Sequence, residues 1–295
     1  MKILNLGSIN IDHVYAVDHF VRPGETIASS GYNVFAGGKG FNQSIALVRA
    51  GAPVHHAGMV GKDGSWLLDR LVENGVDTTH VETAEEVTGH AIIQVVPEGE
   101  NSIVLHAGAN HQIGTAFLTD VLSSCSTDDY LLLQNETSSV GDAIGLAVSK
   151  GMKVAFNPAP MTGEVKTYPL DGVDLFILNE TEAVSLIGET SSEKIRSSML
   201  AKFPTAAVVL TLGSRGAVYF DANGMIEAPA AAVEAVDTTA AGDTFTGYFL
   251  AELMNGGSSE DALKLGCQAA ALCVTRPGAS DSIPLRGEVI EWLDE

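Results

Sequence analysis

The sequence contains few positive charges. Lys and Arg number 16 against 37 Asp and Glu, so the formal net charge is −21 at pH 7. A chain with this charge is repelled by nucleic-acid backbones and anionic membranes, and neither is an expected partner. Any phosphate site must therefore be made locally, by backbone N–H groups, a few Lys or Arg side chains and a metal ion.

Cysteine is also scarce, with only Cys125, Cys267 and Cys273, and these show no CxxC spacing. An odd number of cysteines in or beside apolar patterns indicates reduced core residues of a cytoplasmic protein, not a disulfide framework. The N-terminal sequence MKILNLGSIN leads directly into a strand pattern without the segments of a signal peptide. No apolar run reaches membrane-spanning length. We therefore expect a cytoplasmic protein.

Several motifs of nucleotide and metal enzymes are missing. Gly40 follows Lys39 where a P-loop requires Ser or Thr, and no glycine lies at the required spacing upstream. The first strand does not lead into GxGxxG, which argues against a typical Rossmann dehydrogenase. The eight histidines show neither HExxH nor a His/Cys cluster. We therefore expect no zinc site and no histidine as the principal base.

Six short apolar runs have the composition of buried strands, at residues 3–6, 54–60, 130–133, 154–156, 175–178 and 206–212. Apolar residues recur at helical spacing between most of them, as at Phe41, Ile45 and Val48. This alternation predicts an α/β fold, a three-layer sandwich whose mostly parallel central sheet is covered on both faces. Ligands of such sheets bind at the carboxyl ends of the strands.

Two stretches have β-type sequence without an adjoining helix. Residues 12–35 and 87–106 contain ETIASSGYNVF, HAIIQVV and NSIVLHA, and PEGEN between the last two resembles a hairpin turn. We expect a small projecting β-sheet, either a lid over the strand ends or an edge sheet with no moving part. The predicted lid domain is 12–35 and 87–106, and the predicted large domain is 1–11, 36–86 and 107–295.

The stretch DTTAAGDTF, residues 237–245, is suited to phosphate chemistry. Its small residues allow a polyanion to approach the backbone, and free N–H groups at a helix start attract anions. Asp243 falls in the first helical turn, where we expect the helix field to hold its carboxylate ionised and able to accept a proton from a hydroxyl. An ordinary helix cap is the alternative.

Polar residues and glycines follow the first strand. Asn10 and Asp12 are two residues apart, so in extended backbone both side chains lie on one face and could bind adjacent hydroxyls of a polyol. A simple turn is the alternative. In AGGKGFNQ, glycines flank Lys39 at the start of a helix. Lys39 could supply charge to a transferred phosphate, and Asn42 could bind a hydroxyl.

Two further loops follow strands. In NETEA, Asn179 and Glu182 match a capping box, and they could also organise water around a Mg²⁺ ion that bridges nucleotide phosphates. In TLGSRG, residues 211–216, small and hydroxyl-bearing residues could line the phosphates or ribose of a nucleotide. A plain hairpin toward the strand AVYF is the alternative.

Taken together, these segments resemble the PfkB superfamily of carbohydrate kinases, also called ribokinase-like. The resemblance runs nearly end to end. It is carried, in order, by GSINID, PGET, AGGKGFNQSIAL, TGHA, GENSIVLHAGAN, LLLQNET, NPAP, LNETEA, TLGSRGA, VDTTAAGDTF and VTRPGASDSIP. So many strings in the right order make the resemblance highly specific, whereas one matching loop would not.

The resemblance implies ATP-dependent phosphorylation of the primary hydroxyl of a pentose, with D-ribose to D-ribose 5-phosphate as first choice. It implies that Asp243 is the general base and that the backbone N–H groups of Ala240, Ala241, Gly242 and Asp243 form an anion hole. The positions implied for the sugar are Asn10, Asp12, Gly38, Lys39, Asn42, Glu136 and Asp243. Those implied for ATP are Asn179, Glu182, Thr211, Gly213, Ser214, Gly216 and Gly242, with Glu182 holding Mg²⁺ through water.

The resemblance also implies an activating monovalent cation, usually K⁺, beside the anion hole. The matching positions are Asp237, Thr239, Cys273, Arg276, Gly278 and Ser282, several of them through backbone carbonyls. Ligation by carbonyls suits a large, weakly hydrated ion. A homodimer in which two lids pair is implied as well.

Three positions depart from the common pattern of this superfamily. Ala240 replaces a glycine, Phe41 stands where alanine is common, and His90 stands where a small or aliphatic residue is common. Phe41 and His90 could alter the sugar pocket, so a kinase of the same superfamily for 2-deoxyribose, fructose or a nucleoside is an alternative. The remote alternative is a non-catalytic sugar or nucleotide sensor, which could dispense with the carboxylate of Asp243.

Overall fold

The computed structural model describes residues 2–293. The strands are β1 (Ile3–Leu6), β2 (Asn10–Ala16), β3 (Gly31–Gly37), β4 (Val54–Val60), β5 (Asp77–Thr83), β6 (Gly89–Val95), β7 (Asn101–His106), β8 (Tyr130–Leu133), β9 (Lys153–Phe156), β10 (Leu175–Asn179), β11 (Ala207–Thr211), β12 (Ala217–Phe220) and β13 (Met225–Ala228). The helices are α1 (Lys39–Arg49), α2 (Ser65–Glu73), α3 (Thr115–Ser123), α4 (Val140–Lys150), α5 (Glu180–Ile187), α6 (Ser192–Lys202), α7 (Ala241–Met254), α8 (Ser259–Val274) and α9 (Arg286–Leu293). Within this described part, no helix combines the length and the hydrophobicity that crossing a membrane requires.

The large sheet has the strand order β13-β12-β11-β10-β9-β8-β1-β4-β5. The seven strands from β11 to β5 in this order, which include β1 and β4, pair in parallel, and only β12 and β13 are antiparallel. Because the six inner parallel strands are buried on both faces, their sequences are mainly apolar runs, unlike the edge strand β5. All six runs identified in the sequence form strands within one residue of the predicted bounds, which confirms the mostly parallel α/β sheet.

Alternate residues of these strands enter two separate cores. Leu4 belongs to a core that contains residues of α3 to α6, whereas Ile3 belongs to a core that contains residues of α1, α2, α7, α8 and α9. This alternation follows from the two-residue period of a strand, and it places one helical layer on each face of the sheet. The predicted three-layer sandwich is confirmed.

The small sheet has the order β3-β2-β6-β7 and is separate from the large sheet. Strands β6 and β7 pair as an antiparallel hairpin around PEGEN, as predicted. In the segment ETIASSGYNVF only the last residues form a strand, because β3 begins at Gly31. The two N-terminal strands of the small sheet, β2 and β3, extend from Asn10 to Gly37. The domain division at 12–35 and 87–106 stays a prediction.

Candidate active site

Helix α7 begins in the stretch DTTAAGDTF with an unusual backbone conformation. Its N-cap residue, Ala240, adopts the left-handed region with φ 60° and ψ 6°. The Ala241 N–H donates to the Thr238 carbonyl at 3.3 Å, while the hydrogen bonds of residues 2–293 include no acceptor for the N–H groups of Gly242 and Asp243. These two donors are therefore left for an anion at the positive end of the helix dipole.

The carboxyl group of Asp243 is buried at this helix start, with 7% of the residue exposed. Its Oδ1 accepts from Gln43 Nε2 at 2.8 Å, and its Oδ2 accepts from Asn42 Nδ2 at 3.0 Å. Burial raises the pKa of this carboxyl, against the opposing effects of Lys39, Gln43 and Asn42. The sequence argument considered only the helix field, so it missed the dominant effect of burial.

Lys39 supplies positive charge beside Asp243. The carboxylates of Asp243, Glu136 and Glu182 raise the pKa of the Lys39 ammonium, although burial acts in the opposite direction. The backbone N–H of Lys39 donates to Glu136 Oε2 at 2.9 Å, and Ser8 Oγ donates to the same oxygen. Burial raises the pKa of Glu136. The charges of three carboxyl groups therefore act on one ammonium.

Asn10 and Asp12 lie on one face of strand β2, as their spacing predicted. Asn10 is buried, and its Oδ1 accepts from Asn110 Nδ2 at 2.7 Å. Burial, with a smaller contribution from the charge of Glu136, raises the pKa of Asp12 to about 7. Gly38 has φ 93°, and a Cβ there would lie 2.9 Å from the Ser8 carbonyl oxygen, so both conformation and space require glycine.

A polar cavity of about 250 Å³ brings part of these groups together. Of the predicted site residues it is lined by Lys39, Asn179, Glu182, Thr211, Ala240, Ala241, Gly242 and Asp243. Five predicted sugar residues do not line it: Asn10, Asp12, Gly38, Asn42 and Glu136. The last two nevertheless reach it through their hydrogen bonds to Asp243 and Lys39.

A second cavity of about 470 Å³ adjoins the first and is mainly apolar. The two share Thr211, Thr238, Ala241 and Gly242. The rest of its wall includes Gly213, Ser214 and Gly216, the alanine-rich segment at residues 230–235, and side chains of α7 and α8. The TLGSRG loop forms the hairpin alternative, since β11 and β12 pair antiparallel. Its residues also lie in the wall of this cavity, and their nucleotide role stays a prediction.

Asn179 and Glu182 form a complete capping box at the start of α5. Asn179 Oδ1 accepts from the Glu182 N–H at 2.9 Å, and Glu182 Oε2 accepts from the Asn179 N–H at 3.0 Å. Burial raises the pKa of Glu182. Its side chain still lines the polar cavity, so capping does not prevent it from facing a ligand.

The predicted cation residues meet beside the start of α7. Asp237 accepts from the N–H groups of Thr239 at 2.9 Å and Gly278 at 3.0 Å. Burial alone would raise the pKa of Asp237, but these hydrogen bonds lower it below its usual range. Cys273 Sγ lies 3.1 Å from Ser282 Oγ.

Arg276 differs from its neighbours in this group, because its guanidinium donates to Glu288 at 2.8 Å. Its side chain is thus directed to helix α9, and only its backbone carbonyl oxygen remains as a possible ligand for a cation. Among residues 2–293, no three His, Cys, Asp or Glu side chains are grouped to hold a metal. Backbone and water ligands would therefore have to complete any metal site.

Sequence reasoning missed four polar residues of the site. Asn157, Thr238 and Thr246 line the polar cavity, and Gln43 donates to Asp243. A signal existed for Asn157, since it follows a strand directly, at the end where α/β sheets bind ligands. Gln43 gave no signal of its own, because its partner lies 200 residues away in sequence.

Comparison with known proteins agrees with this geometry. The family model described as "pfkB family carbohydrate kinase" matches residues 1–286. A protein named ribokinase from Haemophilus influenzae is 39% identical over 302 residues, covering 98% of this chain and 97% of that protein.

Two solved structures share the fold across nearly the whole chain. A ribokinase from Cryptococcus neoformans in complex with ADP has a TM-score of 0.85 and 36% identity, covering 99% of each chain. An Arabidopsis thaliana ribokinase complexed with ribose and ATP has a TM-score of 0.87 and 30% identity, covering 100% of this chain and 99% of that one. Family model, relatives and fold all agree, and the chain belongs to the pfkB family of carbohydrate kinases.

Proposed function

We propose that this protein transfers the γ-phosphoryl group of ATP to the primary hydroxyl of D-ribose, giving D-ribose 5-phosphate. The observation that carries the proposal is the buried carboxyl of Asp243, which lies beside the Lys39 ammonium at the start of α7. A base next to an anion-binding helix start is the arrangement that phosphoryl transfer to an alcohol needs. The relatives named ribokinase, one of them complexed with ribose and ATP, support ribose as the acceptor.

On the sugar side, Asp243 accepts the proton of the attacking hydroxyl. Asn42 supports this role, because its Nδ2 donates to Asp243 while its buried Oδ1 has no partner within residues 2–293. A buried carbonyl oxygen without a partner is costly, and a sugar hydroxyl that donates to it removes that cost. Asn10, Asp12, Gly38 and Glu136 hold the remaining hydroxyls.

On the nucleotide side, the apolar cavity accommodates the base, and the phosphates lie over the shared wall of the two cavities. The N–H groups of Gly242 and Asp243 stabilise the charge that develops on the transferred group, together with Lys39. The volume of about 470 Å³ falls in the range of small-molecule sites.

Mg²⁺ fits beside Glu182, whose carboxylate lines the polar cavity near Lys39. A single carboxylate suits Mg²⁺, which keeps several waters and takes its other ligands from phosphates. When bound, Mg²⁺ neutralises charge on the phosphate oxygens. The capping hydrogen bond from Asn179 holds the Glu182 side chain in place.

A monovalent cation fits the loop that contains Asp237. The available donors are the Asp237 carboxylate and the backbone carbonyls of the predicted positions, all hard oxygens that suit K⁺. Thr239 immediately precedes Ala240, so a cation held there orders the turn that opens α7 without touching the sugar. We also propose that the protein is a homodimer whose lids pair.

A sugar panel measured with and without K⁺ tests this function. ADP release should be fastest with D-ribose, compared with 2-deoxyribose, fructose and nucleosides, and should increase when K⁺ replaces Li⁺. A preference for another sugar would shift the proposal to a different kinase of the same family.

Replacing the base tests the mechanism and separates it from a sensor. Asp243→Asn should retain sugar and ATP binding but lose at least about 100-fold in kcat, the range of general-base catalysis. Calorimetry would measure binding, and a coupled assay would measure turnover. Near-normal turnover in this variant would rule out Asp243 as the base, whereas a wild type that binds but never turns over would indicate a sensor.

A further inference from the structure

A continuous chain of buried polar side chains runs behind the cavity to Asp243. It joins residues of β1, β4, α1 and α7 with the residue that follows β8. Its members are at most 7% exposed: His56, Ser44, Asn5, Gln134, Gln43 and Asp243. Polar groups buried this deeply are costly without a partner, so the way they are paired is constrained; among the atoms of these side chains, within residues 2–293, Gln134 Oε1 alone has no partner.

The central part of this chain consists of three side-chain amides. Gln43 Nε2 donates to Asp243 Oδ1 at 2.8 Å, and Gln134 Nε2 donates to Gln43 Oε1 at 2.7 Å. Gln134 Nε2 also donates to Asn5 Oδ1 at 2.9 Å. Asn5 Nδ2 donates to the backbone carbonyl of Gly40 at 2.8 Å.

The direction of the chain is fixed by groups that can only accept. Since the Gly40 carbonyl has no hydrogen to donate, Asn5 must turn Nδ2 toward it and Oδ1 toward Gln134. Gln134 must then present Nε2, and its second hydrogen reaches Gln43 Oε1. This leaves Gln43 Nε2 facing Asp243. Reversing one amide would oppose two oxygens or two N–H groups.

Asn157 fixes the same direction independently. Its Nδ2 donates to the Ile177 carbonyl at 2.8 Å, so its Oδ1 faces Gln43 and accepts from Gln43 Nε2 at 3.1 Å. Both hydrogens of Gln43 Nε2 are therefore used, one on Asn157 and one on Asp243. The amide of Gln43 is held from two sides.

The far end of the chain is consistent with a neutral imidazole. Burial lowers the pKa of His56 to about 4. His56 Nε2 lies 3.2 Å from the Gly7 carbonyl and must donate to it, so Nδ1 accepts from Ser44 Oγ at 2.8 Å. Ser44 Oγ in turn accepts from Asn5 at 2.8 Å. Every link thus agrees with the direction set by Gly40.

We infer that Gln43 is a positioning residue for the carboxylate of Asp243, and that Gln134 and Asn5 hold its amide in the donating orientation. The inference rests on the proposed function, in which Asp243 takes the proton. Asn42 also donates to Asp243, but in the proposed function its Oδ1 contacts the sugar as well. Gln43 is fully buried and does not line the cavity, so no ligand competes for its hydrogen bond to Asp243. It fixes the carboxylate and favours its ionised form.

The test is the pH profile of kcat for Gln43→Met at saturating sugar and ATP. Met has a similar length but donates no hydrogen bond. The N–H group of Gln43 favours the ionised form of Asp243. Without it, the acid limb of the pH profile of kcat should move to higher pH by about one unit. At neutral pH kcat should fall about tenfold or more, while the KM for sugar changes less than about threefold.

Gln134→Met supplies a second test that does not touch Asp243. It removes one of the two groups that hold the amide of Gln43 and leaves Asn157, so the acid limb should shift in the same direction by a smaller amount. This variant also keeps the test open if Gln43→Met does not fold.

Tyr248→Phe is the matched control. Tyr248 lies on the same helix as Asp243, and this change removes its buried hydrogen bond of 2.7 Å to the Pro284 carbonyl. It should lower the melting temperature and leave the acid limb in place. Active Gln43→Met and Gln134→Met proteins with unshifted profiles would overturn the inference, as would an equal shift in Tyr248→Phe. Failure of the proposed function is distinguishable, since the wild type would then not phosphorylate ribose.

Discussion

At the scale of single residues, the carboxyl of Asp12 makes folding stability depend on pH. Its pKa is raised from 3.8 to about 7, mainly by burial, so the folded state binds its proton more tightly than the unfolded state. Stability from this group is therefore fully present below pH 4 and is lost as the pH rises toward 7. Asp12→Asn removes the titration.

The free energy of unfolding of the wild type, minus that of Asp12→Asn, should decrease between pH 4 and 7. The slope should approach about 1.4 kcal/mol per pH unit, the value for one proton. Urea denaturation at a series of pH values measures both proteins. A difference that stays constant, or increases with pH, would contradict the raised pKa of Asp12.

Backbone strain at Ala240 gives a second prediction at this scale. A residue with a Cβ is disfavoured at φ 60°, whereas glycine is not. Ala240→Gly should therefore raise the free energy of unfolding by about 0.5–1 kcal/mol, after the extra entropy of glycine in the unfolded chain is subtracted.

Ala241→Gly is the matched control for this strain. Ala241 is the first residue of α7 and has no positive φ, so glycine there should destabilise by up to about 1 kcal/mol. Thermal and chemical denaturation would show whether the two neighbouring substitutions differ in sign. If both destabilise equally, Ala240 is not strained.

At the scale of helices and strands, the contact between α1 and α7 positions the site. Gly247 on α7 allows this contact, because a Cβ there would lie 2.4 Å from the Ala46 Cβ and 2.8 Å from its backbone. Helix α1 carries Asn42 and Gln43, and α7 carries Asp243. A larger residue at position 247 would thus separate the base from both donors.

Gly247→Ala should destabilise the protein by about 1–3 kcal/mol, the typical cost of overpacking. It should also reduce kcat, since the donors to Asp243 move. Gly145→Ala is the control, because Gly145 is exposed in the middle of α4 and a Cβ there meets nothing within 4 Å. That change should stabilise by up to about 1 kcal/mol and leave kcat unaltered. Chemical denaturation measures the stability of both variants, and the coupled assay measures their kcat. Equal effects in the two variants would contradict the role of Gly247 in the α1–α7 contact.

The sequence predicted some elements better than others, for physical reasons. Strands buried on both faces are continuous apolar runs, so six of them were located to within a residue. The edge strand β5 was missed because its sequence, DTTHVET, is half exposed and has no apolar run. The strand expected from residue 25 onward begins only at Gly31, because β-type composition does not by itself provide a partner strand.

The residues of the candidate site, like the strands, were predicted from the sequence only in part. The strand-end rule and the family resemblance brought out Asp243, Lys39 and Glu182, which do line one cavity. The network around Gln43 was not predictable, because hydrogen bonds between residues more than 100 positions apart have no local sequence pattern. The resemblance provided residue roles, whereas the structure adds the partners of each side chain.

At the scale of the whole molecule, the small sheet of β3, β2, β6 and β7 presents a mainly apolar row of side chains to solvent. Val34, His13, Ile92 and Val104 lie side by side across its four strands, in register. The valines and the isoleucine of this row are 43–64% exposed. His90 lies beside His13 and His106, with ring centroids 6.0 and 5.0 Å apart. These histidines come from three strands, and within residues 2–293 they form no group that could hold a metal.

This row is the part of the lid that we expect to pair in the proposed homodimer, since an exposed apolar sheet face favours association. A carboxylate in its middle would be buried without a partner on pairing. In a two-fold symmetric interface the substitution occurs twice. Val104→Asp should therefore raise the dimer dissociation constant by at least about tenfold, which corresponds to about 1.4 kcal/mol.

Light scattering over a range of protein concentrations measures this change. Val72→Asp is the control, because Val72 is 57% exposed, close to the 64% of Val104, but lies on helix α2 of the main body. It should leave the molar mass at that of the wild type. A wild type that stays monomeric would refute the homodimer. A Val104→Asp protein that remains as dimeric as Val72→Asp would place the interface elsewhere, because the lid row could not then be the surface that association buries.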